Sequence, residues 1–256
     1  MFFIFIIGPA GSGKSTLVGA FSDWMLDHDL DVATINLDPG ASWMPYRPDV
    51  DVRDYVTVEE VMEKYNLGPN GAIIAAADLI AVEAGKIRDE IEGLKADYIL
   101  VDTPGQMELF AFRAAGPHIA SVLCKDSGAM ILFLIDAIFA SRPTSLVSAL
   151  LLSASVHFRF LMPQLNLLTK VDMVDKKRVE HICYLVENSQ ALIEAVSMEA
   201  KGPYREMHEK LCELIASLGS ISSIFPVSSI TGEGIDSLYA EIQRISAGGE
   251  DYVTYY

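Results

Sequence analysis

Short apolar runs recur along the chain, bounded by Gly, Pro, Asp or Asn, and between them the apolar residues fall at helical spacing. The runs at 2–7, 31–37, 98–101, 130–135, 165–168 and 224–226 have strand length and β-branched or aromatic content. The stretches around 14–28, 72–93, 107–123, 143–157, 178–196, 204–218 and 234–246 predict helices; in the first of them Leu17, Ala20, Phe21 and Met25 share a face. Strands alternating with helices predict an α/β fold, a three-layer sandwich with a mainly parallel central sheet and helices on both faces. Ligands of such sheets bind at the carboxyl ends of the strands. Residues 38–71 depart from the plan: they are rich in Pro, Asp and Tyr, with one helical pattern near 58–65. A long irregular excursion in a compact domain is usually functional. Extra helices near 178–218 read as an insertion over the ligand pocket. The expected layout is one domain over 1–246 and a frayed acidic, aromatic tail over 247–256.

Composition narrows the function. The chain has 256 residues, 51% of them hydrophobic, which is ample for a sheet buried on both faces. A formal net charge of −16 argues against binding nucleic acid through its phosphates and suits a basic partner surface. Cys124, Cys183 and Cys212 have no C-x-x-C spacing and read as reduced thiols of a cytoplasmic protein. The first apolar run lacks a basic flank and leads straight into a glycine-rich turn, so it reads as a strand and not a leader. The longest apolar stretch, 129–140, contains Asp136 and is too short to cross a bilayer, so no membrane association is expected. The five histidines do not cluster at ligand spacing.

The chemistry begins at residue 8. Gly8-Pro9-Ala10-Gly11-Ser12-Gly13-Lys14-Ser15-Thr16 fills the P-loop pattern G-x-x-x-x-G-K-[ST], between a strand and a helix. Backbone N–H groups of Gly11, Ser12, Gly13 and Thr16 would cradle phosphates. Lys14 would pair with the β- and γ-phosphates, and the Ser15 hydroxyl would ligate Mg2+. Asp102-Thr103-Pro104-Gly105-Gln106 follows a strand as the second metal-site element, with Asp102 reaching Mg2+ through water and the Gly105 N–H meeting the γ-phosphate. Gln106 and Glu108 are candidates to orient an attacking water. Asp38, in the turn Asp38-Pro39-Gly40, is placed to approach the γ-phosphate, Mg2+ or that water.

The base-binding elements come later in the chain. Thr169-Lys170-Val171-Asp172 resembles the N-K-x-D guanine element with Thr in first place, a change that removes the amide expected at guanine N7. Asp172 can accept two hydrogen bonds from guanine that adenine cannot offer, and the Lys170 stem can lie along the base. Asp172 or Asp175 could equally cap a following helix. Phe225-Pro226-Val227-Ser228-Ser229 places Ser228 and Ser229 where backbone N–H groups contact guanine O6.

With these motifs stands Gly68-Pro69-Asn70-Gly71, and together they resemble the GPN-loop GTPases over essentially the whole chain. The resemblance implies an Mg2+-dependent hydrolase converting GTP to GDP and phosphate, with Asp38, Gln106, Glu108 and Asn70 as its catalytic residues. It implies a homodimer like those of the archaeal members, related to the signal recognition particle GTPases. The GPN loop, an insertion near 38–71, would carry Asn70 to the partner subunit's phosphates. The resemblance also suggests a client protein such as RNA polymerase or its assembly machinery. On spacing alone Asn70 reads as a helix cap in a surface turn. The competing assignment is a partitioning-type P-loop ATPase, which Thr169-Lys170-Val171-Asp172 disfavours.

Overall fold

The computed structural model describes residues 1–199, 205–219 and 223–246; the predicted tail, 247–256, lies outside them. Seven parallel strands form one sheet in the order β3-β2-β4-β1-β5-β6-β7. They are β1 (Phe2–Ile7), β2 (Val32–Asn36), β3 (Val50–Asp51), β4 (Tyr98–Asp102), β5 (Gly128–Asp136), β6 (Gln164–Thr169) and β7 (Ile224–Pro226). β1 lies between β4 and β5, with Ile6 opposite both Asp102 and Leu132. The turn after β1 therefore emerges in the middle of the sheet's carboxyl edge, beside Asp102.

The alternating side chains of β1 build two cores. Phe3, Phe5 and Ile7 join a cluster with Ile35, Val101 and Phe133, whereas Ile4 and Ile6 join one with Leu100, Leu132 and Leu167. This is the period-two geometry of a strand covered on both sides, and it explains why the strands read as continuous apolar runs. The second cluster is closed by α1 (Lys14–Asp27) and α11 (Ile235–Ser246), through Leu17, Val18, Phe21 and Met25 on one and Leu238 and Ile242 on the other. The first cluster takes the remaining helices that contribute core residues: α2 (Val58–Tyr65), α3 (Pro69–Leu94), α4 (Met107–Ala111), α5 (Ala115–Leu123), α6 (Ala137–Ala140), α7 (Pro143–Phe160), α8 (Lys176–Glu187), α9 (Ser189–Glu199) and α10 (Arg205–Ser217).

Several boundaries differ from the sequence expectation. The helix expected over 107–123 is two: Arg159 of α7 donates to the Ala111 carbonyl at 3.2 Å and the Phe112 carbonyl at 3.5 Å, acceptors that a continuous helix would use itself. The helix expected over 178–196 also divides. Asn188 closes α8 and its Oδ1 accepts from the Ala191 N–H at 3.0 Å, opening α9. β3 and the single turn of α6 escaped the pattern because two and four residues are too short to show a period. The excursion over 38–71 is not irregular throughout. It contains β3, a 3-10 turn at Val52–Asp54, and α2, which opens on a capping box between Thr57 and Glu60.

Candidate nucleotide site

The turn between β1 and α1 needs glycine for two reasons. A β carbon on Gly8 would lie 2.8 Å from Ser12 Oγ and 2.9 Å from the Leu134 carbonyl oxygen. Gly11 and Gly13 have φ of +75° and +95°, in the left-handed region. Gly13 is the N-cap of α1, where no side chain caps the helix and no acidic residue occupies the first turn. That end of α1 offers N–H groups and a positive dipole to an anion. Lys14 is 6% exposed, and its Nζ donates to the carbonyls of Gly8 at 3.0 Å, Pro9 at 3.2 Å and Gly105 at 3.4 Å. Burial lowers its pKa, against the opposing charges of Asp102, Asp38 and Glu108.

Asp102 ends β4 and is 2% exposed. Burial raises its pKa to about 6, with the Ser15 and Tyr46 hydroxyls and the Lys14 charge pulling the other way and the Asp38 charge adding to the rise. Its Oδ2 accepts from the Tyr46 hydroxyl at 3.0 Å, while Oδ1, like Ser12 Oγ, is buried without a hydrogen-bond partner. A buried carboxylate oxygen with an open lone pair beside a serine hydroxyl is a donor set suited to Mg2+, which keeps several waters and binds few protein ligands. Among the described residues no cluster of three or more His, Cys, Asp or Glu side chains could hold a metal, so phosphate and water would have to complete such a shell.

Asp38 reaches the site, though not as expected. Its Oδ2 accepts from the Gly105 N–H at 2.9 Å and its Oδ1 from the Gly40 N–H at 2.9 Å. The N–H expected to meet a γ-phosphate is thus held by a carboxylate of the same chain. Asn36, Asp51 and Arg53 together shape this loop. Buried Asn36 accepts from the Asp38 N–H at 2.9 Å and donates to the Asp38 carbonyl at 3.1 Å and to Asp51 at 2.9 Å. Asp51 is clamped by Arg53, which also donates to the Ala41 carbonyl at 2.8 Å. Arg53, like Arg113 on Asp78, is engaged in an ion pair.

The base end is a cavity of about 190 Å³ lined by Gly13, Thr16, Lys170, Asp172, Ser229 and Ile230, among others. Thr169 is buried, and its hydroxyl donates to the Ser12 carbonyl at 2.8 Å and the Ile135 carbonyl at 3.3 Å. It fastens β6 to the P-loop in this way and leaves no side-chain donor for a base. Lys170, at φ +60°, donates to the Gly11 carbonyl at 2.5 Å and to Asp136 at 2.7 Å, which stretches its stem along the cavity. Ser228 donates to Asp172 Oδ1 at 2.5 Å while its oxygen accepts from the N–H groups of Ile230 and Thr231. Asp175, not Asp172, caps α8. Asp172 is exposed.

Gln106 and Glu108 are exposed at the start of α4, one on each side of Met107. Asn70 is not brought to this site by any bond, and among the described residues its side chain is hydrogen-bonded to no other. Gly68 is the N-cap of α3, Pro69 its first residue and Asn70 its second, all exposed, so the helix starts earlier than position 72 and Asn70 does not cap it.

The family described as "conserved hypothetical ATP binding protein" matches residues 6–248. The chain belongs to this family, that of the GPN-loop proteins. It is 29% identical to GPN-loop GTPase 1 of Dictyostelium discoideum, over 99% of this chain and 63% of that protein. It is 28% identical to GPN-loop GTPase 3 of Mycosarcoma maydis, over 97% of this chain and 92% of that protein. It thus spans less than two thirds of the length of the Dictyostelium relative but nearly all of the Mycosarcoma one. A GTPase in apo form from Pyrococcus abyssi has the same fold, with a TM-score of 0.85 and 28% identity over 95% of this chain and 97% of that one. As a GPN-loop protein, the chain carries its Gly68-Pro69-Asn70 signature on the first turn of α3.

Proposed function

We propose that this GPN-loop protein binds GTP with Mg2+ and hydrolyses it to GDP and phosphate. The observation that carries the reading is the convergence, on the sheet's carboxyl edge, of an uncapped P-loop helix, a buried Asp102 with one open oxygen, and an Asp172 held by Ser228 over a base-sized cavity. The phosphates would lie along the backbone of Gly11–Thr16, with Lys14 on the β- and γ-groups. Ser15 and, through water, Asp102 would hold Mg2+, which when bound supplies charge neutralisation of the phosphates. Asp172 would accept from the guanine N1–H and N2 amino group, with Ser229 beside O6 and the Lys170 stem along the ring. Asp38, Gln106 and Glu108 would order the water that attacks the γ-phosphorus; the bond to the bridging oxygen breaks and GDP leaves with its electron pair. In this scheme catalysis is positioning and charge placement.

The relatives named as GTPases support the reading, and the family description names ATP instead. Phosphate release from GTP and ATP, each with and without Mg2+, decides between them. GTP turnover that requires Mg2+ and exceeds ATP turnover at least tenfold is expected, and equal turnover would return the chain to the partitioning-type ATPase reading.

We further propose a homodimer in which Asn70 serves the partner's phosphates and helps to catalyse the step there. The exposed, unpartnered Asn70 on a helix-start turn supports this. Mixed dimers of Asn70→Ala and Lys14→Ala subunits test it: the intact P-loop of such a dimer faces the intact Asn70 only if the loop acts in trans. Recovered activity supports the arrangement, and none, with mixed dimers verified, refutes it. The proposal extends to a cytoplasmic switch presenting different surfaces to a client such as RNA polymerase assembly machinery, as the family resemblance suggests. It extends also to a one-domain layout over 1–246 with the extra helices near 178–218 over the pocket, as chain length and helix content suggest.

A further inference from the structure

The proposed reaction has no use for the Tyr46 phenol at the phosphate end. It sits in the loop between β2 and β3, and its hydroxyl donates to Asp102 Oδ2 at 3.0 Å across 56 residues of sequence. Burying a phenol costs free energy unless the hydroxyl is bonded, and a phenylalanine would fill the same space against the sheet without that demand. The ring packs on α1, with Cβ and Cδ1 3.5 and 3.8 Å from where a β carbon on Gly19 would stand. The loop does not need the hydroxyl to stay in place. On one side of Tyr46 Arg53 holds the Ala41 carbonyl at 2.8 Å, and on the other the Asp49 carboxylate accepts from the Thr34 N–H at 2.8 Å.

We propose that Tyr46 is a positioning residue: its phenol fixes Asp102 Oδ2, so that Oδ1 is the oxygen left to the Mg2+ shell. A buried carboxylate without such a tie would rotate to satisfy both oxygens on Ser15 and whatever water enters, and its open lone pair would no longer be preset. The hydroxyl also couples the Asp38 loop to the metal site, since both belong to the segment between β2 and β3. The proposal rests on the Mg2+–nucleotide reading above and adds to it the residue that orients the carboxylate.

The test is release of a fluorescent GDP from full-length wild-type and Tyr46→Phe protein across a Mg2+ titration, with a parallel measurement in excess chelator. Losing one hydrogen bond to a buried charge should raise the half-saturating Mg2+ roughly tenfold in Tyr46→Phe. Release in chelator should stay unchanged, because no nucleotide contact has been altered. A merely structural tyrosine would lower the melting temperature and leave the Mg2+ midpoint where it was, which overturns the proposal. Equal weakening with and without Mg2+ overturns it too, as does a Tyr46→Phe chain that loses its fold. A wild-type chain that binds GDP but ignores Mg2+ refutes the metal-site reading itself, and is distinguished by failing before any variant is compared.

Discussion

At the phosphate end Lys14, Asp38 and Asp102 are bonded to their own chain, Lys14 to three carbonyls, Asp38 to Gly105 and Asp102 to Tyr46. At the base end Asp172 stands exposed beside an open cavity and accepts a hydrogen bond from Ser228. The first end must exchange internal bonds for ligand bonds, whereas the second only has to receive a base. Selectivity for the purine should therefore be a property of the resting fold, and selectivity for the third phosphate a property of what the phosphates displace.

The largest expected effect lies at the buried end. Lys14→Ala removes a buried cation on which the charges of three carboxylates, Asp102, Asp38 and Glu108, act. Turnover of GTP should fall by about 10³-fold or more, on the order of 4 kcal/mol, because the lost interaction strengthens as charge develops on the transferring phosphoryl group. Steady-state phosphate release checks it, and a loss under tenfold would mean that the lysine's resting bonds are its main role.

Next is a trade between stability and metal. Asp102 ionises at about 6 in the fold against an ordinary 3.8, so its charge opposes folding above pH 6, and the opposition fades as pH falls towards 4. Asp102→Asn should therefore stabilise the protein in chelator at pH 7–8 by up to about 3 kcal/mol, with the gain vanishing below pH 4. The same substitution should abolish the Mg2+ dependence of nucleotide retention. Urea unfolding at several pH values measures the first effect, and a variant less stable than wild type at pH 8 would show that the Tyr46 and Ser15 bonds outweigh the burial cost.

The same contrast explains what could be read from the chain beforehand. The central strands, covered on both faces, are mostly apolar runs, so β1 falls where the pattern puts it and β4 and β6 within two residues; the half-buried edge strand β7 is bounded as expected too. The P-loop and Thr169–Asp172 are contiguous, and their local backbone imposes their arrangement. What escaped is held across long separations. Tyr46 meets Asp102 over 56 residues, Asp38 meets Gly105 over 67, and the break between α4 and α5 depends on Arg159, 48 residues beyond Ala111. No local period encodes such partners. The Pro, Asp and Tyr content of 38–71 marked the segment that carries Tyr46 and Asp38 but not the partners they meet.

A smaller effect should separate the base end from the rest. Asp172→Ala should weaken GTP binding by about 2 kcal/mol, roughly thirtyfold, and leave ATP binding unchanged, since adenine has no donors for that carboxylate. The fold should survive because Asp172 is exposed and its partner Ser228 also accepts from the N–H groups of Ile230 and Thr231. Competition between labelled GDP and each triphosphate reads both affinities at once. A parallel drop in ATP binding would mean that Asp172 shapes the cavity and does not read the base.

The smallest effect bears on the third phosphate. Asp38 Oδ2 holds the Gly105 N–H at 2.9 Å, and a γ-phosphate seeking that donor must displace it. Asp38→Ala removes the competitor and one negative charge near Lys14, so affinity for a non-hydrolysable GTP analogue should rise relative to GDP by about 1 kcal/mol, some fivefold. GDP has no group at that position and should bind almost as before. If Asp38 also orders the attacking water, the same variant should bind GTP more tightly and turn it over more slowly, a combination that a simple folding defect does not produce. The Asn36 bonds to the Asp38 main chain do not involve the carboxylate, so the turn should keep its shape without it. Unchanged discrimination between the analogue and GDP would show that the Asp38–Gly105 bond does not compete with phosphate, and the two ends of the site would then differ in burial but not in how they admit the nucleotide.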